Sequence, residues 1–175
     1  MLRDVEQRLP HSAGVAARAG QLAGTVAPRQ RQLLIAAAWL HDIGYAPSAR
    51  VTGFHAFDGA VFLATRGWSP RLCGLVAHHS GAGFSAREMG MADELSRFIH
   101  EETALSDALT YADQTTGPDG RPVTPAERME EMLARHGSSS PQARIHHERG
   151  PYLLAVASRV EQRLNSHGQP AAGWP

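Results

Sequence analysis

Apolar residues return every three or four positions through most of this sequence, and that spacing suits helices rather than strands. Val15, Ala16, Ala19, Leu22, Ala23 and Val26 fall on one helical face. Pro28 suits the first turn of a second helix. Its apolar positions Leu33, Leu34, Ala37, Ala38 and Leu40 run on to Ile43 before Gly44 stops it. The same reading predicts helices over 55–65, 69–80, 94–100, 103–113, 124–135 and 151–164, the fifth opened by the capping box Thr124-Pro125-Ala126-Glu127. Segments 47–53 and 115–124 read as loops, and 81–90 as a lid or short helix. No alternating strand pattern, repeat or low-complexity tract is present. An all-α bundle is therefore expected, and 175 residues fit one domain. That domain is expected over 1–167, with a motif core at 9–116, a helical extension at 124–167 and a disordered tail at 168–175.

Composition narrows the partners. The formal net charge is zero, which lacks the basic footprint of a protein that grips polymeric nucleic acid. All 17 basic residues are arginine, so no lysine can act as base, Schiff-base nucleophile or phosphate ligand. One cysteine, Cys73, cannot form an intramolecular disulfide, and makes a thiolate-based structural zinc site unexpected. The start carries acids where a signal peptide needs an apolar run, and the apolar stretch 33–40 is too short for a membrane span. A cytoplasmic protein without membrane partners is expected.

Chemistry concentrates in a few histidines and carboxylates. His41-Asp42 closes the second helix, and both side chains can reach one cation at the negative end of the helix dipole. Alone, such a pair reads more readily as a histidine beside an ordinary carboxylate. His11 stands one helix earlier. Asp113 stands on an otherwise apolar helix, where a carboxylate is costly to bury unless paired or metal-bound.

The order His11, His41-Asp42, Asp113, with the phrase Leu40-His41-Asp42-Ile43-Gly44, resembles the HD superfamily of metal-dependent phosphohydrolases over roughly residues 9–116. The resemblance implies an all-α HD-domain bundle. It also implies a first metal on His11, His41, Asp42 and Asp113, and a second on His55 and His78 with Asp42 shared. Bacterial dinucleoside-tetraphosphate hydrolases and di-iron HD oxygenases carry such added histidines. Imidazole and carboxylate donors suit Fe, Mn, Co, Zn or Ni. His79 stays open between a ligand in place of His78, a proton donor to the leaving oxygen, and a solvent-facing residue. His100, His136, His146, His147 and His167 fit no ligand pattern.

One departure matters. Many members of that superfamily carry a phosphate-contacting lysine three residues after the aspartate, where this chain has Tyr45. Arg50 and Arg121 are the expected substitutes, since guanidinium suits bidentate phosphate contacts. The segments 80–90 and 114–121, including Gln114, follow proposed ligands and are expected to form the substrate mouth. The activity implied is hydrolysis of a small phosphate ester or nucleotide by a hydroxide held on the metals, with Asp42 and His79 as the catalytic side chains. A di-iron oxygenase and a non-catalytic metal- or ligand-binding domain are the alternatives.

Overall fold

The computed structural model describes residues 3–137 and 140–166, without the side chains of 3–7, 135, 136, 141 and 142. The expected tail at 168–175 and the side chains of His136 and His167 lie outside the described residues. Ten α-helices follow one another among those described: α1 (Arg3–Gln21), α2 (Arg31–Leu40), α3 (His55–Ala64), α4 (Pro70–His78), α5 (Ala82–Glu88), α6 (Ala92–Leu95), α7 (Ala104–Gln114), α8 (Pro125–His136), α9 (Pro141–Arg144) and α10 (His146–Ser166). The described residues contain no strand; a single bridge between Thr116 and Pro122 folds the loop after α7 back on itself. The fold is all-α.

Local chemistry sets most of the boundaries. Ser69 accepts a hydrogen bond from the Leu72 N–H and Pro70 opens α4. Thr103 caps α7, and Thr124 and Glu127 form the reciprocal box that their spacing predicts at the start of α8. Three segments depart from the sequence reading. α1 begins well before His11 and runs through Pro10, and α10 begins at His146 and runs through Pro151. Each proline removes one helical N–H without ending its helix. The helix expected over 94–100 is only the four-residue α6, whereas 81–90, expected as a lid or short helix, holds the seven-residue α5.

The main core joins α1, α2, α4, α7 and α10 through Val15, Ala19, Leu22, Leu34, Ala37, Leu75, Leu105, Leu109, Val160 and Leu164. Alanines at 19, 37, 38, 108 and 112 keep this interior thin, so the helices approach closely. Leu33, expected in the core, is only partly buried against it. Two smaller clusters pack α3 against α4 and α5, with Leu63, Cys73 and Val76 in one and Phe54, Ala60 and Ala77 in the other.

Two glycines bring the site elements together. A Cβ on Gly44 would lie 1.9 Å from the His55 carbonyl oxygen, so only glycine lets the turn after α2 touch the start of α3. A Cβ on Gly14 would lie 2.5 Å from the Gly120 carbonyl oxygen, which is how α1 admits the loop after α7.

Candidate metal centre

Six side chains from five segments converge where α1, α2, α3, α4 and α7 meet. Donor atoms of His11, His41 and Asp113 lie within 4.8 Å of one another, and so do those of Asp42, His55 and His79. Asp42 joins the two groups. Its Oδ2 lies 3.6 Å from His41 Nε2 and 3.9 Å from His11 Nε2, while its Oδ1 lies 3.5 Å from His55 Nε2. All these residues except His55 are buried.

The tautomers of three histidines follow from their carbonyl partners. Nδ1–H of His11 donates to Gly117 O (3.0 Å), that of His41 to Ala38 O (2.7 Å) and that of His79 to Val76 O (2.6 Å). A carbonyl can only accept, so in each neutral ring Nε2 carries a lone pair. Those lone pairs face one another and the carboxylates. His11 Nε2 and His41 Nε2 are 3.3 Å apart, His55 Nε2 and His79 Nε2 are 3.3 Å apart, and His11 Nε2 is 3.1 Å from Asp113 Oδ1. Acceptors this close repel unless a proton or a cation sits among them. A pair of divalent ions would satisfy the set, so the residues present fit metal.

The electrostatics agree. Burial works against charge on Asp113, yet the His11 hydrogen bond and the charges of His41, His11 and Arg128 hold its carboxyl well below the usual range. Burial likewise opposes charge on Asp42, and His41, His55 and Arg8 overcome it and pull its carboxyl down. Burial pushes His55 down to about 3 and lowers His79, so both rings are neutral near pH 7 and offer lone pairs without losing a proton. His11 moves the other way: burial disfavours its charged form, but Asp113 and Asp42 raise its pKa.

Supporting contacts fix the carboxylates and the one solvent-facing ring. Asp113 Oδ2 accepts from Ser80 Oγ at short range and from Gln114 Nε2 at 3.0 Å. Ser80 occupies the left-handed region (φ 52°, ψ 34°), a strained conformation for a residue with a Cβ. The Tyr45 ring stacks on His55 (centroids 4.2 Å apart, planes 13° apart), and the Arg8 guanidinium lies 4.0 Å from the centroid of Tyr45. Tyr45 thus orients a histidine, and Arg8 also donates to Asp42 Oδ2 (3.1 Å).

A family model for the HD domain matches residues 8–116. The chain belongs to the HD domain family. The matched segment spans more than half the sequence and holds all six converging residues, which ties this chain to a superfamily of metal-dependent phosphohydrolases whose domains bind divalent metals. Comparison with curated proteins and with solved structures gave no match.

Within this HD domain the structure corrects three expectations. The histidine of the 78–79 pair that joins the cluster is His79, not His78. His78 Nε2–H donates to Phe98 O (3.1 Å) and the ring stacks on His100 at 4.5 Å, beside a separate cavity of about 650 Å³. Helical phase explains the choice: position 79 continues the buried stripe of Leu72, Leu75 and Val76, whereas 78 is rotated about 100° from it. Arg50 and Arg121 are exposed and stand outside the cavity of about 110 Å³ that both donor groups line; Arg121 pairs with Asp119 instead. Of the expected mouth, Ser80, Ala82, Ser85 and Gln114 line that cavity, whereas 115–121 do not. The Gln114 amide is engaged with Asp113 and Ser80. Its arginines are Arg8, one turn before His11 on α1, and Arg128 and Arg149, neither of which has a sequence spacing that points to the site. Among the other histidines, His147 is exposed and His146 lies against Gly150.

Proposed function

We propose that this HD domain is a metal-dependent phosphohydrolase that holds two divalent ions and cleaves a small phosphate ester or nucleotide. One observation carries the reading: two three-residue donor groups meet at Asp42, a member of the second, which presents Oδ2 toward His41 and His11 of the first and Oδ1 toward His55. His11, His41 and Asp113 would hold one ion, and His55 and His79 the other. When bound, the ions supply Lewis acidity and an activated water at neutral pH. The chain's own residues supply the rest. Backbone carbonyls fix the ring tautomers, Ser80 and Gln114 fix Asp113, and the surrounding guanidiniums favour an anion. His79 serves as a ligand here rather than as a proton donor, because its only ring proton is committed to Val76 O. Small phosphate compounds are the proposed partners, because the cavity is too small for a polymer.

One feature favours a second reading. Tyr45 stands where a phosphate-contacting lysine is usual, and the same donor set suits a di-iron oxygenase. Anaerobic turnover separates the two. Manganese- or cobalt-loaded protein, screened against phosphoesters without oxygen, is expected to release phosphate or a nucleotide. Activity seen only with iron and oxygen, with a mixed-valent iron signal at rest, would replace hydrolysis with oxygenation.

A further inference from the structure

Two of the three arginines around the cavity come from beyond the segment that matches the family. Arg128 sits on α8 and Arg149 on α10, and both face the space lined by the two donor groups. Arg128 is only 8 % exposed. Its Nη1 donates to Glu131, its Nη2 is 4.0 Å from Asp113 Oδ1, and its Nε is buried without a partner. Arg149 spends Nε on the Ser80 carbonyl (2.9 Å), and among the described residues no acceptor is hydrogen-bonded to its terminal nitrogens. Burial pulls the Arg149 pKa below the ordinary arginine value, with the Asp113 charge opposing.

A guanidinium taken out of water and left with unused N–H groups is costly, and an oxyanion that accepts those N–H groups removes the cost. The nearby acids do not perform that task. Asp113 is committed to the donor cluster, and Glu131 engages only one edge of Arg128. We infer that Arg128 and Arg149 form an oxyanion seat that holds the terminal phosphoryl group of a phosphomonoester or nucleotide against the two donor groups. The seat rests on the phosphohydrolase reading and restores, from the C-terminal helices, the cationic contact that Tyr45 cannot make.

Size and charge select the terminal group. The cavity of about 110 Å³ is small beside the roughly 300–1,000 Å³ typical of pockets that enclose a whole small molecule. The remainder of the substrate therefore lies outside it. Two guanidiniums beside two divalent ions outweigh the carboxylates of Asp42 and Asp113, so a dianion is favoured over the monoanion of a diester. In hydrolysis at this seat, water oxygen forms one new P–O bond and the bond to the leaving oxygen breaks. The leaving oxygen gains a proton that the water gave up, and the products are inorganic phosphate and an alcohol or shortened nucleotide.

Calorimetric titration of inorganic phosphate into the manganese-loaded full chain tests the seat. Arg128→Gln and Arg149→Gln are each expected to weaken phosphate about ten- to a hundredfold, the loss of a charge-assisted hydrogen bond. Manganese content is expected to stay at the wild-type value, and Arg66→Gln at the exposed end of α3 to bind phosphate normally. If a glutamine variant fails to retain manganese, wild-type protein decides: phosphate must slow modification of Arg149, but not of Arg66, by an arginine-selective dicarbonyl reagent. Unchanged phosphate affinity in manganese-replete variants, or no protection of Arg149, overturns the seat. The monoester p-nitrophenyl phosphate is expected to be cleaved in preference to the bis(p-nitrophenyl) diester, and Arg149→Gln to narrow that preference through KM. A wild-type preference for the diester overturns the terminal-phosphate assignment. A chain that hydrolyses phosphoesters while its arginine variants bind phosphate normally keeps its function and loses the seat. One that neither binds phosphate nor hydrolyses any phosphoester loses both.

Discussion

At positions 78 and 79 two identical side chains receive opposite environments. His79 Nε2 faces His55 in the buried cluster, and His78 Nε2–H is bonded to Phe98 O outside it. His79→Ala should therefore reduce bound metal from two ions to one and abolish turnover. His78→Ala should keep both ions, with a stability loss of about 1 kcal/mol for its hydrogen bond. Metal analysis of the two variants reads the difference, and equal metal loss in both would put His78 back among the ligands. Asp113 is legible in the sequence as a carboxylate on an apolar helix, His41-Asp42 as a pair at a helix end with His11 one helix earlier, and His55 only through the resemblance to the HD superfamily. The choice between 78 and 79 is legible only through helical phase. The arginines are less visible still. Arg50 and Arg121 are near ligands along the chain, but loops carry them into solvent, while Arg128 and Arg149 reach the cavity from helices far away in sequence and Arg8 from three residues before His11 on α1.

Among the elements, α7 and α10 are clasped by charge as well as by apolar packing. The buried Asp107 carboxylate accepts from Arg159 Nε (2.9 Å) and Nη2 (2.6 Å) and from Arg163 Nη2 (2.7 Å). Burial raises the cost of charge on Asp107, and the hydrogen bonds and charges of Arg159 and Arg163 more than offset it, so its pKa falls below the ordinary value. A group that binds its proton more weakly folded than unfolded stabilises the fold above its unfolded pKa of about 3.9, and this contribution fades as pH falls through the folded pKa. Asp107→Asn should lower stability by about 1–3 kcal/mol at pH 7. The gap between variant and wild type in urea melts should narrow below about pH 3.9; a gap independent of pH would assign the effect to packing. Periodicity and caps locate α2, α3, α4, α7 and α8 well because each signal is local. The early start of α1 and α10 is hidden because proline reads as a boundary, and only tertiary packing holds a helix together across it.

For the whole molecule, the centre and the core share their helices: α1, α2, α4 and α7 supply both ligand-type side chains and apolar ones. No helix among the described residues is long and apolar enough to cross a membrane. Removing metal should therefore weaken the entire fold. At a hundredfold excess of metal over its dissociation constant, chelation should cost about 2.7 kcal/mol for each ion lost and lower Tm by about 5–10 °C per ion. A wild-type melt unchanged by a chelator that strips the ions would mean the donor cluster is held by packing alone. The two donor groups also differ in how much chain they enclose. Asp42, His55 and His79 belong to one run of three successive helical segments, whereas His11 and Asp113 are 102 residues apart. Closing the longer loop carries the greater entropy cost. During synthesis from the N-terminus, the second group is complete once residue 79 has emerged, but the first waits for α7 to reach α1. Two-stage assembly of the centre is therefore expected, and an ion held between His11 and Asp113 would certify that the chain has already closed on itself.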